Sequence, residues 1–164
     1  KGGNGFEAGI NQGPLIDGQA MTKVEAHVAD ALAKGAKVVT GGARIGERFY
    51  APTVLAGVTS DMLCAREETF GPVATVTRAT DADHAIALAN LSGFGLGASL
   101  WTADAERGRA LAARLEAGSV FVNAIVKSDP RLPFGGLKRS GFGRELGREG
   151  IREFVNVKTV WVAP

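Results

Sequence analysis

A single cysteine occurs in the 164-residue sequence, and it opens the stretch Cys64-Ala-Arg-Glu-Glu-Thr-Phe-Gly-Pro72, shortly before two adjacent carboxylates. Two chemistries are conceivable there. A thiol nucleophile needs its thiolate form, and hence a nearby imidazole, a helix N-terminus or another positive field. The only histidines are His27 and His84. Each falls within a predicted helix, at a spacing that marks no dyad with Cys64. Cys64 is therefore expected to be a small buried residue, and both histidines partly exposed helix residues. The second chemistry belongs to the carboxylates. Neighbours on an extended segment point to opposite sides, which excludes Glu67 and Glu68 as a glycosidase-type pair and sends one of them to solvent. The other, beside Phe70 and the stiff Gly71-Pro72 corner, has two oxygens that can accept from a vicinal diol while the ring packs on a flat ligand. By residue type alone, plain surface charge is the competing reading. No set of His, Cys, Asp and Glu has metal-ligand spacing, so no metal site is expected.

A second candidate lies in the last third of the chain, where Lys127, Arg131, Lys138, Arg139, Arg144, Arg148 and Arg152 outnumber the acidic residues around them. The loop Lys138-Arg139-Ser140-Gly141, with Phe134 and Phe142 nearby, has the residue types to hold a phosphate or stack a base. A non-catalytic anion- or nucleic-acid-binding module on residues 127–144 is thus the alternative function, although interspersed acidic residues dilute its field. The glycine clusters Gly93-Phe-Gly-Leu-Gly97 and Gly141-Phe-Gly143 are not dinucleotide fingerprints. The first precedes a predicted strand instead of following one, and the second has the wrong final spacing.

These candidates must be positioned by regular elements. Asp17 or Gly18 can open a helix whose Met21, Val24, Val28, Ala31 and Leu32 share a stripe, with a stop at Lys34-Gly35. Short strands are predicted at 36–40 and within 52–58, and a β-branched one at 73–78. Asp81 can cap a helix carrying Ala82, Ile86 and Ala89. Strand 97–101, helix 104–115 and strand 119–123 follow with short connections, which predicts an α/β fold, a mostly parallel sheet flanked by helices. The Gly- and Pro-rich stretch 124–143 is longer than ordinary connections and reads as a functional loop. A short helix near 145–154 leads to Val155-Asn-Val-Lys-Thr-Val-Trp-Val162. That segment is expected to be a strand pairing with another part of a larger assembly, since a free edge of this kind invites aggregation.

Composition sets the outer bounds. With 45% apolar residues, 22% charged residues and a net charge of +2, the chain is expected to form one soluble globular unit. No apolar run reaches the roughly 18 residues of a membrane span, and no membrane association is expected. The lone cysteine excludes an internal disulfide and favours a reducing, cytoplasmic setting. The opening "KGGNGFEAG", without methionine, reads as the start of a piece cut from a longer protein.

Taken together, "CAREETFGPV", "VNAIVKSDPRLPFGGLKRSGFGRELGREGIREF" and "VNVKTVWV" resemble the C-terminal third of the aldehyde dehydrogenase superfamily. The wording of the loop is most similar to the succinate-semialdehyde dehydrogenase branch. The resemblance implies residues 1–154 as the C-terminal portion of the catalytic domain and residues 155–164 as an oligomerisation strand, hence a homo-oligomer. It implies an enzyme that oxidises an aldehyde, succinate semialdehyde by preference, with NAD or NADP, by thiolate attack, hydride transfer and thioester hydrolysis. Glu68 matches the family's nicotinamide-ribose ligand and Phe70 the aromatic beside the nicotinamide. Phe134 matches a residue of the aldehyde access tunnel, and Ser128 the position facing the distal end of the substrate; Lys127 and Arg131 could assist there, but their side chains are expected to point to water. Cys64 is then a bystander. The family's nucleophile and general base match nothing in this sequence, so the chain is expected to carry no catalytic residue and to be inactive alone. Its partners are the aldehyde and the rest of the enzyme, with no nucleic acid.

Overall fold

In the computed structural model, which describes residues 1–164, Asp17 begins the first helix, its carboxylate accepting from the Ala20 amide at 2.8 Å. This satisfies one of the free N–H groups of the first turn. Helix α1 (Gly18–Ala33) then buries Met21, Val24, His27, Val28 and Ala31 along one stripe. It ends as the glycine predicts. Gly35, at φ +96°, lets its own amide donate to Leu32 and the Ala36 amide to Ala31, at 3.0 and 2.9 Å.

The chain divides into two compact units, Lys1–Ser92 and Gly93–Pro164, where one had been expected. In the first, α1 lies by a three-stranded sheet of order β1-β2-β3, with β1 at Lys37–Thr40, β2 at Thr53–Ala56 and β3 at Val73–Val76. The β1–β2 pairing is antiparallel with an irregularity between Val38 and Thr40, and β2–β3 is parallel from Thr53 opposite Val73 to Ala56 opposite Val76. Leu15, Met21, Val24, Val28, Ala31, Ala36, Tyr50, Leu55, Val58 and Met62 form one core cluster. Each large member contributes about 1.5–3 kcal/mol by leaving water. Helix α2 (Leu63–Arg66) is a single turn whose first amide, of Leu63, donates to the Asp30 carboxylate of α1 at 2.8 Å. Helix α3 (Ala82–Asn90) starts at Asp81, which accepts from the His84 amide at 2.8 Å.

The second unit is built differently. Strands β5 (Gly97–Leu100) and β6 (Ser119–Val122) pair in parallel around helix α4 (Ala105–Ala112). The Asn123 side chain ties the end of this pair, exchanging two 2.8 Å hydrogen bonds with the backbone of Thr102. Strands β4 (Phe94–Gly95) and β7 (Leu137–Lys138) form an antiparallel ribbon, and helix α5 spans Gly147–Arg152. The only buried residues here are Gly95, Gly108, Gly136 and Gly150.

Two expectations are corrected, and a third, that 155–162 pair outside this chain, is left untouched by a single chain. The sheet is not mostly parallel; three small sheets contain two parallel and two antiparallel pairings. The supposed loop 124–143 includes β7 and, at Phe134, a bridge to Glu145. Two-residue strands are too short to show alternation in sequence. Residues 155–162 form no strand and are exposed throughout. High strand propensity yields a ladder only where a partner edge is present, and none in this chain pairs with them. No helix is long and apolar enough to cross a membrane.

Candidate functional site

The corner that follows α2 is held from beneath by successive residues of α1. The Lys23 ammonium donates to the main-chain carbonyl of Glu68. One residue on, Val24 lies so close to Gly71 that a Cβ there would run into its side chain, so the chain passes only because residue 71 is glycine. One turn further, His27 places Nδ1 3.0 Å from the Thr69 hydroxyl and Nε2 3.6 Å from the Glu67 carboxylate. Beyond the corner, the Pro72 carbonyl accepts from the Thr53 amide of β2 at 2.8 Å. Helix and sheet thus fix the backbone of 67–72 on one side, since residues 23, 24 and 27 share a helix face.

On the other side, Glu67, Glu68 and Phe70 are exposed. The Glu67 side chain keeps about half its surface in solvent although its carboxylate faces His27, whereas Glu68 has no side-chain partner. Phe70 is 76% exposed and sits at φ +52°, the left-handed region. A non-glycine residue there costs on the order of 1–2 kcal/mol, and an exposed ring returns none of it by burial. Such strain is retained where the surroundings over-determine it, often at ligand clamps.

His27 departs from its expectation, being 2% exposed instead of partly exposed. Burial lowers its pKa, Lys23 lowers it further and Glu67 opposes both, so the ring is neutral at neutral pH. Cys64 is half-buried against the core. Burial pushes its thiol up, which disfavours the thiolate a nucleophile needs. It lines a concavity with Ser60, Arg66, Thr75 and Leu88.

In the second unit, Phe134 is half-buried and exchanges two 2.8 Å backbone hydrogen bonds with Glu145. Its ring lines an open concavity with Leu96, Phe142 and Phe154. Ser128 is exposed and lies outside that lining. Arg131 is 85% exposed and grips Asp129 through Nη2 at 2.6 Å and Nε at 2.9 Å. That guanidinium, with the Arg131 amide, holds the Asp129 carboxyl down to about 2. Three further cations of the basic loop are engaged within the unit. Lys138 pairs with Glu116 at 2.6 Å, Arg139 lies 4.8 Å over the Phe94 ring, and Arg144 donates to the Gly136 and Gly143 carbonyls. Cations committed in this way make a poor stripe for a phosphate backbone. No group of three or more His, Cys, Asp or Glu comes together to hold a metal.

The structure therefore brings Glu68 and Phe70 onto one corner, and sets Phe134 in a concavity that Ser128 does not line. Sequence reasoning missed Lys23 and His27. A signal was available for His27, which falls three places after Val24 on the apolar stripe of α1.

The corner thus presents a carboxylate and a ring on a backbone braced from behind. The family description "Aldehyde dehydrogenase family" matches residues 1–160, and the chain belongs to that family. It is similar to succinate-semialdehyde dehydrogenase 1 of Mycobacterium tuberculosis, named for NADP(+), at 48% identity over 92% of this chain and 34% of that protein. It is 50% identical to the mitochondrial succinate-semialdehyde dehydrogenase of Rattus norvegicus, over 96% of this chain and 31% of that one. The crystal structure of succinate-semialdehyde dehydrogenase from Burkholderia pseudomallei matches with a TM-score of 0.88 and 47% identity, over 93% of this chain and 32% of that one. The chain spans about a third of the length of the curated relatives it matches.

Proposed function

We propose that this chain is the cofactor-gripping and substrate-facing portion of an NAD(P)-dependent aldehyde dehydrogenase that oxidises succinate semialdehyde to its acid. Family membership and the names of its relatives support the reading. The observation that carries it is the corner, where an exposed carboxylate and a strained, exposed ring stand two residues apart on a backbone braced from behind. The residues fit the group. Glu68 offers two acceptor oxygens, with no side-chain partner, to the vicinal hydroxyls of a ribose, and Phe70 offers a flat face to a nicotinamide ring. Bound there, NAD(P)+ supplies the acceptor for the hydride that leaves the aldehyde carbon. Glu68 restricts where the sugar sits, and the Phe70 ring excludes water from one face of the site.

Ser128 donates to the distal carboxylate of the semialdehyde, and Phe134 walls the path along which the aldehyde approaches. Arg131 is not the main cation for that carboxylate, because Asp129 already occupies its guanidinium. The nucleophile and the base are supplied from outside these 164 residues, so the chain alone turns over no aldehyde. Residues 1–154 belong to the catalytic domain, and residues 155–164 complete a sheet with another subunit, making a cytoplasmic homo-oligomer.

The test is kinetic, in the enzyme that carries this chain. Glu68→Gln raises KM for NAD(P)+ about tenfold, equivalent to roughly 1.4 kcal/mol, while Cys64→Ala leaves turnover near normal. Ser128→Ala raises KM for succinate semialdehyde more than for an uncharged aldehyde of similar length. Loss of activity in Cys64→Ala with none in Glu68→Gln reverses the assignment.

A further inference from the structure

We propose that His27 is a positioning residue whose ring sets the geometry of the Glu67–Phe70 corner and thereby the grip on the cofactor. This rests on the reading of the corner given above and adds to it a residue that touches neither cofactor nor aldehyde.

The argument begins with an anomaly of burial. His27 occupies an inward position on α1 between Val24 and Val28, both nearly inaccessible, where an apolar side chain would serve the core. A buried imidazole costs stability unless its nitrogens are satisfied. Here both face one short segment. Nδ1 meets the Thr69 hydroxyl at 3.0 Å and Nε2 faces the Glu67 carboxylate at 3.6 Å. One tautomer serves both. With the proton on Nε2, the ring presents an N–H to the anion, and the Thr69 hydroxyl donates to the bare Nδ1. The opposite tautomer would turn a lone pair toward the carboxylate.

The two contacts bracket Glu68, one on the residue before it and one on the residue after. Lys23 adds a third hold through the Glu68 carbonyl. Thr69 is also the residue that leads into the left-handed backbone at Phe70. Fixing Thr69 therefore limits the direction of the carboxylate on one side and of the ring on the other. A displacement of about 1 Å in such a group is enough to cost a large factor in function.

The experiment compares His27→Phe, which fills the space without hydrogen bonds, and His27→Gln, which restores a polar reach, with Glu68→Gln as reference in the full enzyme. His27→Phe is expected to raise KM for NAD(P)+ about tenfold, the loss of one hydrogen bond and one contact with a carboxylate, with KM for the aldehyde unchanged. His27→Gln recovers most of that loss, and Thr69→Val reproduces it without adding to it in the double variant. Should His27→Phe fail to fold, Thr69→Val and His27→Gln carry the same comparison. If both KM values rise together, or if only the melting temperature moves, His27 is a packing residue and the inference is overturned. If Glu68→Gln leaves cofactor KM unchanged, the cofactor reading falls and takes this one with it. If Glu68→Gln acts and the His27 and Thr69 variants do not, only the positioning role is lost.

Discussion

Residues Lys1–Ser92 and Gly93–Pro164 handle their apolar side chains in opposite ways. The first unit gathers Met21, Val24, Leu55, Val58 and Met62 into a core at 2% exposure or less. The second buries only glycines and leaves Trp101, Ile125, Phe142, Ile151, Phe154, Val157 and Trp161 exposed at 65% or more. One unit holds its shape with its own side chains. The other is held by backbone pairings, caps and local ion pairs, and presents apolar surface of the kind that marks contact with other polypeptide. The proposed cofactor corner stands on the first kind of scaffold, and the proposed substrate residues on the second. The holds on the backbone around Glu68 and Phe70 come from α1 and β2, whereas Ser128 and Phe134 lie in a unit that buries no large side chain.

The contrast is broken most directly by mutation. Leu55→Ala, in the central strand, is expected to cost about 2–5 kcal/mol in denaturant unfolding, while Trp161→Ser changes stability by no more than about 0.5 kcal/mol and lowers self-association. Equal losses would abolish the distinction. A smaller effect tests whether α1 depends on its cap. Asp17→Ala should cost about 0.5–2 kcal/mol, with hydrogen exchange accelerated across α1 and unchanged in α4. The smallest effect is one of pH. Both histidines lie in the first unit. Burial and Lys23 hold His27 below its ordinary 6.5, against Glu67 and Asp30, so between the two values the unfolded chain binds the extra proton. Stability thus rises with pH through that window, is complete above about 6.5 and is lost as pH falls below it. His27→Gln should flatten this part of the profile, and hydrogen exchange in the second unit should not follow it.

Much of this was legible in the residues. Asp17, the stripe from Met21 to Ala31 and Gly35 mark α1 to within a residue of its observed ends, because cap, periodicity and stop are local signals. Strands at 37–40, 53–56, 73–76, 97–100 and 119–122 were legible from β-branched content and turn residues. The parallel β5–β6 pairing around α4 was legible as well, but the partners of the first three strands were not, because pairing is decided by contacts far apart in sequence, and β1 turned out antiparallel to β2. Residues 155–162 show the limit from the other side, since propensity without an edge to join gives no ladder. At the corner, residue types singled out the Glu67–Glu68 pair beside Phe70, and only the family resemblance chose Glu68 between the two. The brace behind them was not found, because a histidine is judged exposed by its type unless its place in the stripe is weighed against it.

Phe70 has a consequence for anyone who wishes to make this chain sturdier. Glycine at that position would relax a backbone that a phenyl side chain keeps uncomfortable, so the more comfortable molecule is the one without the ring. Selection for heat resistance alone would erode the aromatic first, and a hardened variant chosen by melting point should be checked for whether the proposed coenzyme grip survives.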